Sequence, residues 1–192
     1  MCGERTMAAC KSLTEDFQVL DVSGGLGIPY STESPLAWEE VNSLVKELKD
    51  AYNIKEFWLK IGRYLRGPCG IYVTSVVDCK KRLMEKILVL DGGINHIARP
   101  ALVNESFPLY LLHESEAKLA PFFIHGPLCN SLDFLGEHML PEKRVGDVCF
   151  YANRGYKFTE SLPFFLCHDL PGEAVLENTN LSIIREPQSA QF

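Results

Sequence analysis

A glycine cluster, Ser23-Gly24-Gly25-Leu26-Gly27, follows the short apolar run Phe17-Gln18-Val19-Leu20-Asp21-Val22. Glycine lets backbone N–H groups approach a ligand closely, so such a loop at a strand end can cradle a phosphate. It lacks the Gly-Lys-Ser/Thr ending of a P-loop and does not complete Gly-x-Gly-x-x-Gly. On its own it reads equally as a structural turn or an anion site. Three further stretches carry reactive or donor groups: Gly62-Arg63-Tyr64-Leu65, Gly126-Pro127-Leu128-Cys129 and Gly155-Tyr156. Read singly, Arg63 is a surface ion-pair residue, Cys129 a small core residue, and Tyr64 and Tyr156 half-buried aromatics. His96, His113, His125, His138 and His168 show no metal-ligand spacing, so no metal site is expected.

The elements that must position these groups fall into two styles. The apolar run before the glycines reads as a buried strand. Ser34-Pro35 then supplies an N-cap and first-turn proline for a helix over Leu36 to Tyr52, acidic at its start and lysine-bearing toward its end. Phe57-Trp58-Leu59 is a second strand. Strand, glycine loop, helix, strand is a parallel α/β unit with a right-handed crossover. Beyond residue 66 the pattern becomes short strands between Gly, Pro and Asn turns. These are Gly70 to Val77, Ile87 to Leu90, Leu109 to Leu112, Pro121 to Ile124, Asp147 to Tyr151, Glu173 to Leu176 and Leu181 to Ile184. They predict an antiparallel β domain, with Pro187 to Phe192 a frayed tail.

Composition bounds the chemistry. The 192 residues carry 19 Lys plus Arg against 25 Asp plus Glu, a net charge of −6, with 46% hydrophobic residues. That is a globular balance with an acidic excess, which weighs against nucleic acid or an anionic membrane as partner. No apolar run approaches the roughly 18 residues of a membrane span. Seven cysteines lie scattered with no Cys-x-x-Cys pair, and the start shows no signal peptide. A cytoplasmic protein without disulfides is the expectation.

In order and spacing, the glycine loop, Gly62-Arg63, Gly126-Pro127-Leu128-Cys129 and Gly155-Tyr156 resemble the fold-type III pyridoxal-phosphate decarboxylases. This is the alanine-racemase-like family of ornithine, diaminopimelate and arginine decarboxylases. Asp91-Gly92-Gly93-Ile94-Asn95-His96-Ile97-Ala98-Arg99-Pro100-Ala101-Leu102 is similar to that family's segment after its barrel. Ser161-Leu162-Pro163-Phe164-Phe165-Leu166-Cys167-His168 looks closest to the branch acting on carrier-protein-bound glutamyl groups, with its exosortase-associated relatives. The resemblance implies that residues 1 to 66 are the carboxyl-terminal strands and helix of a (β/α)8 barrel. Residues 67 to 192 would be the antiparallel β-barrel or sandwich domain that follows it.

The same resemblance implies roles. Gly24, Gly25 and Gly27 would wrap the phosphate of pyridoxal 5′-phosphate, completed by Gly62 and Arg63, with Tyr156 donating its hydroxyl. Cys129 would cross a two-fold interface as the catalytic thiol near the substrate carbon. Arg99 would meet a substrate carboxylate, and Asn130 would lie on the substrate's distal side. The expected assembly is a homodimer, or a heterodimer with a decarboxylase-like chain.

The chain departs from the family pattern in telling ways. The family's Schiff-base lysine and the histidine that stacks on the cofactor belong to the first barrel half, and no lysine here has the Lys-Ala-Asn-like context. Lys60 stands where the family carries a glutamate for the pyridine nitrogen. Glu56 lies about 13 Å away along an extended chain and does not replace it. Asn130 stands where diamine-type enzymes place an acidic residue for a distal ammonium, which fits an acylated or carrier-bound amino acid and an acyl carrier protein as partner. Two functions follow: the carboxyl-terminal portion of an amino-acid decarboxylase that needs its missing half, or a non-catalytic relative that pairs with and regulates a complete paralogue. An incomplete barrel also predicts an oligomeric or poorly soluble isolated chain.

Overall fold

The α1 helix, Trp38–Tyr52, joins two short strands, β1 Val19–Asp21 and β2 Glu56–Trp58, which pair in parallel with Leu20 opposite Phe57. This computed structural model describes residues 18–29, 34–104, 106–113, 116–143, 145–152 and 164–190. The chain divides into two units, residues 1–65 and 66–192.

In the first unit Leu20, Leu48 and Ile54 are buried together, with Val22, Tyr52 and Phe57 packed on them. One face of α1 thus covers one face of the strand pair. Glu39 and Glu40 lie in the first turn of α1 and Lys49 in its last, complementing the helix dipole. The expected Ser34 cap is not used: α1 begins at Trp38, behind an extended Ala37 that makes no side-chain cap. Asn53 ends the helix in the left-handed region at φ 52°, returning its N–H to the Lys49 carbonyl.

A short helix, α2 Gly62–Arg66, and a 3₁₀ turn, Gly67–Cys69, lead into the second unit. Its main sheet contains β3 Tyr72–Arg82, β4 Glu85–Leu90, β5 Leu109–Leu111, β6 Ala120–His125, β7 Phe134–Leu140 and β8 Val148–Tyr151. Their order is β5-β8-β3-β4-β6-β7. The sheet is mixed, which corrects the expected antiparallel domain: β4 and β6 run parallel, with Leu88 opposite Ile124. Residues 91–119 between them hold α3, Arg99–Val103, and β5, long enough for the crossover a parallel pair requires. Alternate residues Tyr72, Thr74 and Val76 of β3 are buried, as are Leu88, Leu90, Ile124, Leu135, Cys149 and Tyr151 from the neighbouring strands.

A separate antiparallel hairpin follows, β9 Glu173–Glu177 and β10 Asn180–Arg185, turning at Asn178 with φ 56°. As far as Ala190 the tail beyond it is tied down, against the expectation of fraying. Leu170 and Gln188 exchange backbone hydrogen bonds, and the buried Ala190 donates its N–H to Asp169 Oδ1 at 2.9 Å.

Candidate functional site

In the first unit, parallel pairing places the loop after β1 and the loop after β2 at the same end of the strands. The Asp21 carboxylate shapes the first loop by accepting the Ser23 N–H at 2.7 Å, and Ser23 takes φ 62°. Ser23 in turn accepts the Lys60 N–H at 2.6 Å, stitching the two loops together. Gly24 must be glycine for packing, since a Cβ there would strike the Lys60 carbonyl oxygen. Gly25, at φ 95°, and Gly27 have open space where a side chain would be. Among the described residues the N–H groups of Gly24, Gly25 and Gly27 donate no hydrogen bond, which leaves an exposed row of donors.

Gly62 opens α2 beside this loop, and Arg63 follows it half-buried. Lys60 Nζ lies 2.7 Å from Asp21 Oδ2. Its hydrogen bond, with that of the Ser23 amide, holds the Asp21 carboxyl below the usual carboxylate range. Tyr64 accepts the Trp38 indole N–H at 2.6 Å, with the two rings edge to face, so this tyrosine serves the α1–α2 packing.

In the second unit a buried Asp133 carboxylate organises two loops. Its Oδ1 accepts the Ile94 N–H at 2.8 Å and its Oδ2 the Leu128 N–H at 2.7 Å. Gly93 and Gly126 approach so closely that a Cβ on either would run into the carboxylate. Burial pushes the Asp133 carboxyl up, against the lowering pull of those two amides. Cys129 and Asn130 sit on the turn so held, Cys129 exposed and Asn130 half-buried. Asn130 is engaged locally: its Oδ1 accepts the Leu132 N–H at 2.8 Å. Arg99 is half-buried at the start of α3, downstream of the Ile94 loop, and α3 packs against β7. The structure therefore joins the Ile94 loop, which leads into α3, to the Cys129–Asn130 turn through Asp133. Tyr156 lies outside the described residues.

Asp133 and Asp21 were not among the expected site residues. Each acts through backbone amides, and only the Asn130-x-x-Asp133 spacing of an Asx-type turn hinted at the former.

A cleft of about 500 Å³ in the same unit is lined by Tyr72, Asp91, His96, Cys167, His168 and Asp169, among others. His96 Nε2 faces the Asp169 carbonyl at 3.1 Å and must donate to it. Neutral His96 then accepts the Tyr72 hydroxyl on Nδ1, 2.7 Å away. Burial raises the Tyr72 hydroxyl well above its ordinary pKa, so it remains a donor.

Residues 17–155 match the family model described as pyridoxal-dependent decarboxylase, C-terminal sheet domain. The chain belongs to the pyridoxal-dependent decarboxylases. It is 28% identical over 98% of its length to a diaminopimelate decarboxylase of Aquifex aeolicus, of which it covers 46%. It is 30% identical over 90% of its length to the L-glutamyl-[BtrI acyl-carrier protein] decarboxylase of Niallia circulans, covering 44% of that protein. Among solved structures, AQ1208 from Aquifex aeolicus matches 97% of the chain with a TM-score of 0.86 at 27% identity, and 47% of that structure is covered. The chain thus spans about half the length of the relatives it matches.

Family membership implies pyridoxal phosphate, and the described residues fit its phosphate. The unengaged amides at Gly24, Gly25 and Gly27, with open space above Gly25 and Gly27, form a donor cradle of the kind a phosphate needs. The Lys60–Asp21 ion pair lies beside it.

Proposed function

We propose that this chain is the carboxyl-terminal portion of a pyridoxal-phosphate-dependent amino-acid decarboxylase, acting on an acylated or carrier-bound amino acid, with the Schiff-base lysine supplied by an amino-terminal half from a separately encoded chain or a longer gene product. The donor row at Gly24, Gly25 and Gly27, at the carboxyl ends of a parallel strand pair, is the observation that carries this reading. Active sites of barrels built from parallel strands lie at that end. On this reading residues 1 to 66 are the last strands of the barrel and 67 to 192 the sheet domain.

When bound, the cofactor delocalises the electron pair left at the substrate carbon as carbon dioxide departs. The chain's own residues do the rest. Gly24, Gly25, Gly27 and Gly62 bind the phosphate through backbone amides, with Arg63 and Tyr156 adding charge and a hydroxyl. Cys129, on the exposed turn fixed by Asp133, reaches across a two-fold interface and delivers a proton to the substrate carbon. Arg99 orients a substrate carboxylate. Asn130 brings no charge to the distal end of the substrate, which suits an acylated side chain better than a free ammonium. The relative from Niallia circulans, whose name specifies a carrier-bound glutamyl substrate, supports that preference.

Co-expression with the amino-terminal portion of a family enzyme tests the reading. A complex with visible cofactor absorbance that releases carbon dioxide is expected, and a colourless, inactive complex overturns it. The Lys60–Asp21 pair favours a second reading, in which the chain pairs with a complete paralogue and tunes it. That reading predicts a heterodimer by mass and no cofactor signal from this chain's own site.

A further inference from the structure

The turn that carries Cys129 and Asn130 runs on into a smaller cavity of about 160 Å³, between α3 and the start of β7. Strand β7 begins irregularly. Ile124 pairs with Gly136 but His125 with Phe134, so Leu135 is the extra residue of a bulge. Bulges of this kind re-aim side chains beside sites. Gly136 takes φ 117°, and a Cβ there would strike Ser106 Oγ, so only glycine lets the segment after α3 close against the strand. Ala101 and Phe134 supply apolar wall, and Leu132, 57% exposed, forms the rim. The polar lining is neutral. Asn104 ends α3 at φ 52° and returns its backbone N–H to the Pro100 carbonyl, while its side-chain amide makes no hydrogen bond among the described residues. The Ser131 hydroxyl makes none there either. Ser106 Oγ accepts the Glu137 N–H at 3.3 Å, which leaves its own proton to donate. No charged side chain lines the cavity among the described residues.

We propose that this cavity receives the distal acyl group of the substrate, an uncharged carbonyl on a short alkyl stem. The inference rests on the reading above that Cys129 and Asn130 face the substrate. Position, charge and size each select that ligand. Two chain steps of about 3.8 Å separate Cys129 from Ser131, so the cavity opens within roughly 7.6 Å of the Cys129 Cα. A substrate held at Cys129 and extending past Asn130 enters it. An ammonium or carboxylate group would surrender its hydration there and meet no counter-charge. A carbonyl oxygen gives up far less, and the Ser106 and Ser131 hydroxyls and the Asn104 amide are donors for it. Its stem covers Leu132 and lies against Ala101 and Phe134. At roughly 30 Å³ for each water-sized group, the space holds about five heavy atoms. That is a carbonyl with three or four carbons. Anything attached beyond the acyl group must leave through the mouth at Leu132, as a carrier-linked arm would.

The test uses the full chain and three probes of similar size: butyramide, butyrate and n-butylammonium. Binding is followed by the backbone amide shifts of Ser131, Leu132 and Gly136. Butyramide should shift them saturably with a dissociation constant on the order of 10 mM, as suits a ligand of so few atoms. The two charged probes should bind at least tenfold more weakly. Ala101→Leu fills the cavity from α3 and should abolish the butyramide shifts. If that variant unfolds, Ser131→Leu, on the exposed turn, fills the mouth without touching α3 and gives the same readout. Charged probes that bind as tightly as butyramide overturn the ligand class, and shifts that persist in both filled variants overturn the location. The second arm joins the chain to the amino-terminal half of a family enzyme and supplies L-glutamine, whose distal group is an uncharged amide. Either filled variant should raise its KM at least tenfold with the cofactor absorbance unchanged. An active enzyme whose KM is unmoved by both fillings overturns the cavity's role and leaves the functional reading standing. A colourless enzyme beside normal butyramide binding does the reverse.

Discussion

Lys60 Nζ and Asp21 Oδ2 form an ion pair, 2.7 Å apart, across the ends of the two parallel strands that carry the glycine loop. The same carboxylate accepts the Ser23 amide, so one acidic side chain serves both the loop geometry and the cation beside it. Lys60 is largely exposed and Asp21 partly so, and the pair is open to salt screening. Its effect is on charge and loop conformation more than on global stability.

The first prediction follows from that pair. Because Lys60 holds the Asp21 carboxyl low, the pair's contribution to stability is present above the ordinary carboxylate pKa and is lost as pH falls through the lowered value. Lys60→Gln should move the Asp21 titration back toward the usual range, as read by carboxyl-carbon NMR. An unmoved titration would mean that the Ser23 amide alone sets it.

The glycine loop separates packing from binding. Gly24→Ala forces the β1 and β2 loops apart through the Lys60 carbonyl and should destabilise the first unit by about 1–3 kcal/mol. Gly27→Ala enters open space and should leave stability unchanged. Both should weaken inorganic phosphate binding, followed by amide shifts of residues 24–27. Equal melting of the two variants would contradict the distinction.

Asp133→Ala removes the acceptor of two buried amides and should cost about 2–4 kcal/mol, measured by urea unfolding of the chain. It should also raise the rate at which Cys129 reacts with a thiol reagent several-fold, resolved by peptide mapping. Since burial raises the Asp133 pKa, the folded state keeps a proton that the unfolded state has released. Stability therefore falls as pH rises between the ordinary carboxylate pKa and the raised one, and Asp133→Asn should flatten that slope.

How far these devices were legible in the sequence depends on their range. The strand–glycine loop–helix–strand order needed only neighbouring residues, and β1, α1 and β2 fall within a few positions of where the apolar pattern put them. Strand β7 escaped notice because Gly136, Glu137 and His138 interrupt its apolar residues; it is held by pairing with β6 rather than by propensity. The parallel β4–β6 pair and the anchored tail at Gln188 and Ala190 likewise depend on partners distant in the chain. Asp133 is the clearest case, since its role exists only once loops 39 residues apart meet. Reading scattered cysteines as small core residues holds for Cys149, whose buried thiol is pushed up to about 11, but not for Cys69, Cys79, Cys129 and Cys167, which are exposed.

Tyr72→Phe removes the hydroxyl that faces His96 Nδ1 at 2.7 Å and neighbours Thr74. The ring stays packed against Tyr151, but His96 Nδ1 loses its donor. A loss of about 1 kcal/mol is expected, together with a shift of the His96 Nδ1 resonance and none of Nε2, which remains bonded to the Asp169 carbonyl. A shift of both nitrogens would mean that the tautomer itself had changed.

Asn130 is where the proposed substrate preference can be tested, because its hydrogen bond to the turn and its charge can be varied separately. Its Oδ1 caps the Leu132 amide at 2.8 Å, and an aspartate in the same place accepts that N–H equally well. Asn130→Asp should therefore leave the turn and the stability of the chain intact while adding a negative charge beside Cys129. In a complex with the complementary polypeptide, that charge should favour a free diamino acid over its acylated counterpart by about tenfold in kcat/KM, equivalent to about 1.4 kcal/mol. Where turnover is too slow to measure, the ratio of the two dissociation constants by calorimetry serves instead. Asn130→Ala breaks the cap without adding charge, so it should lower stability with no change in that ratio. A ratio that moves equally in both variants would show that Asn130 acts through the loop and not on the substrate.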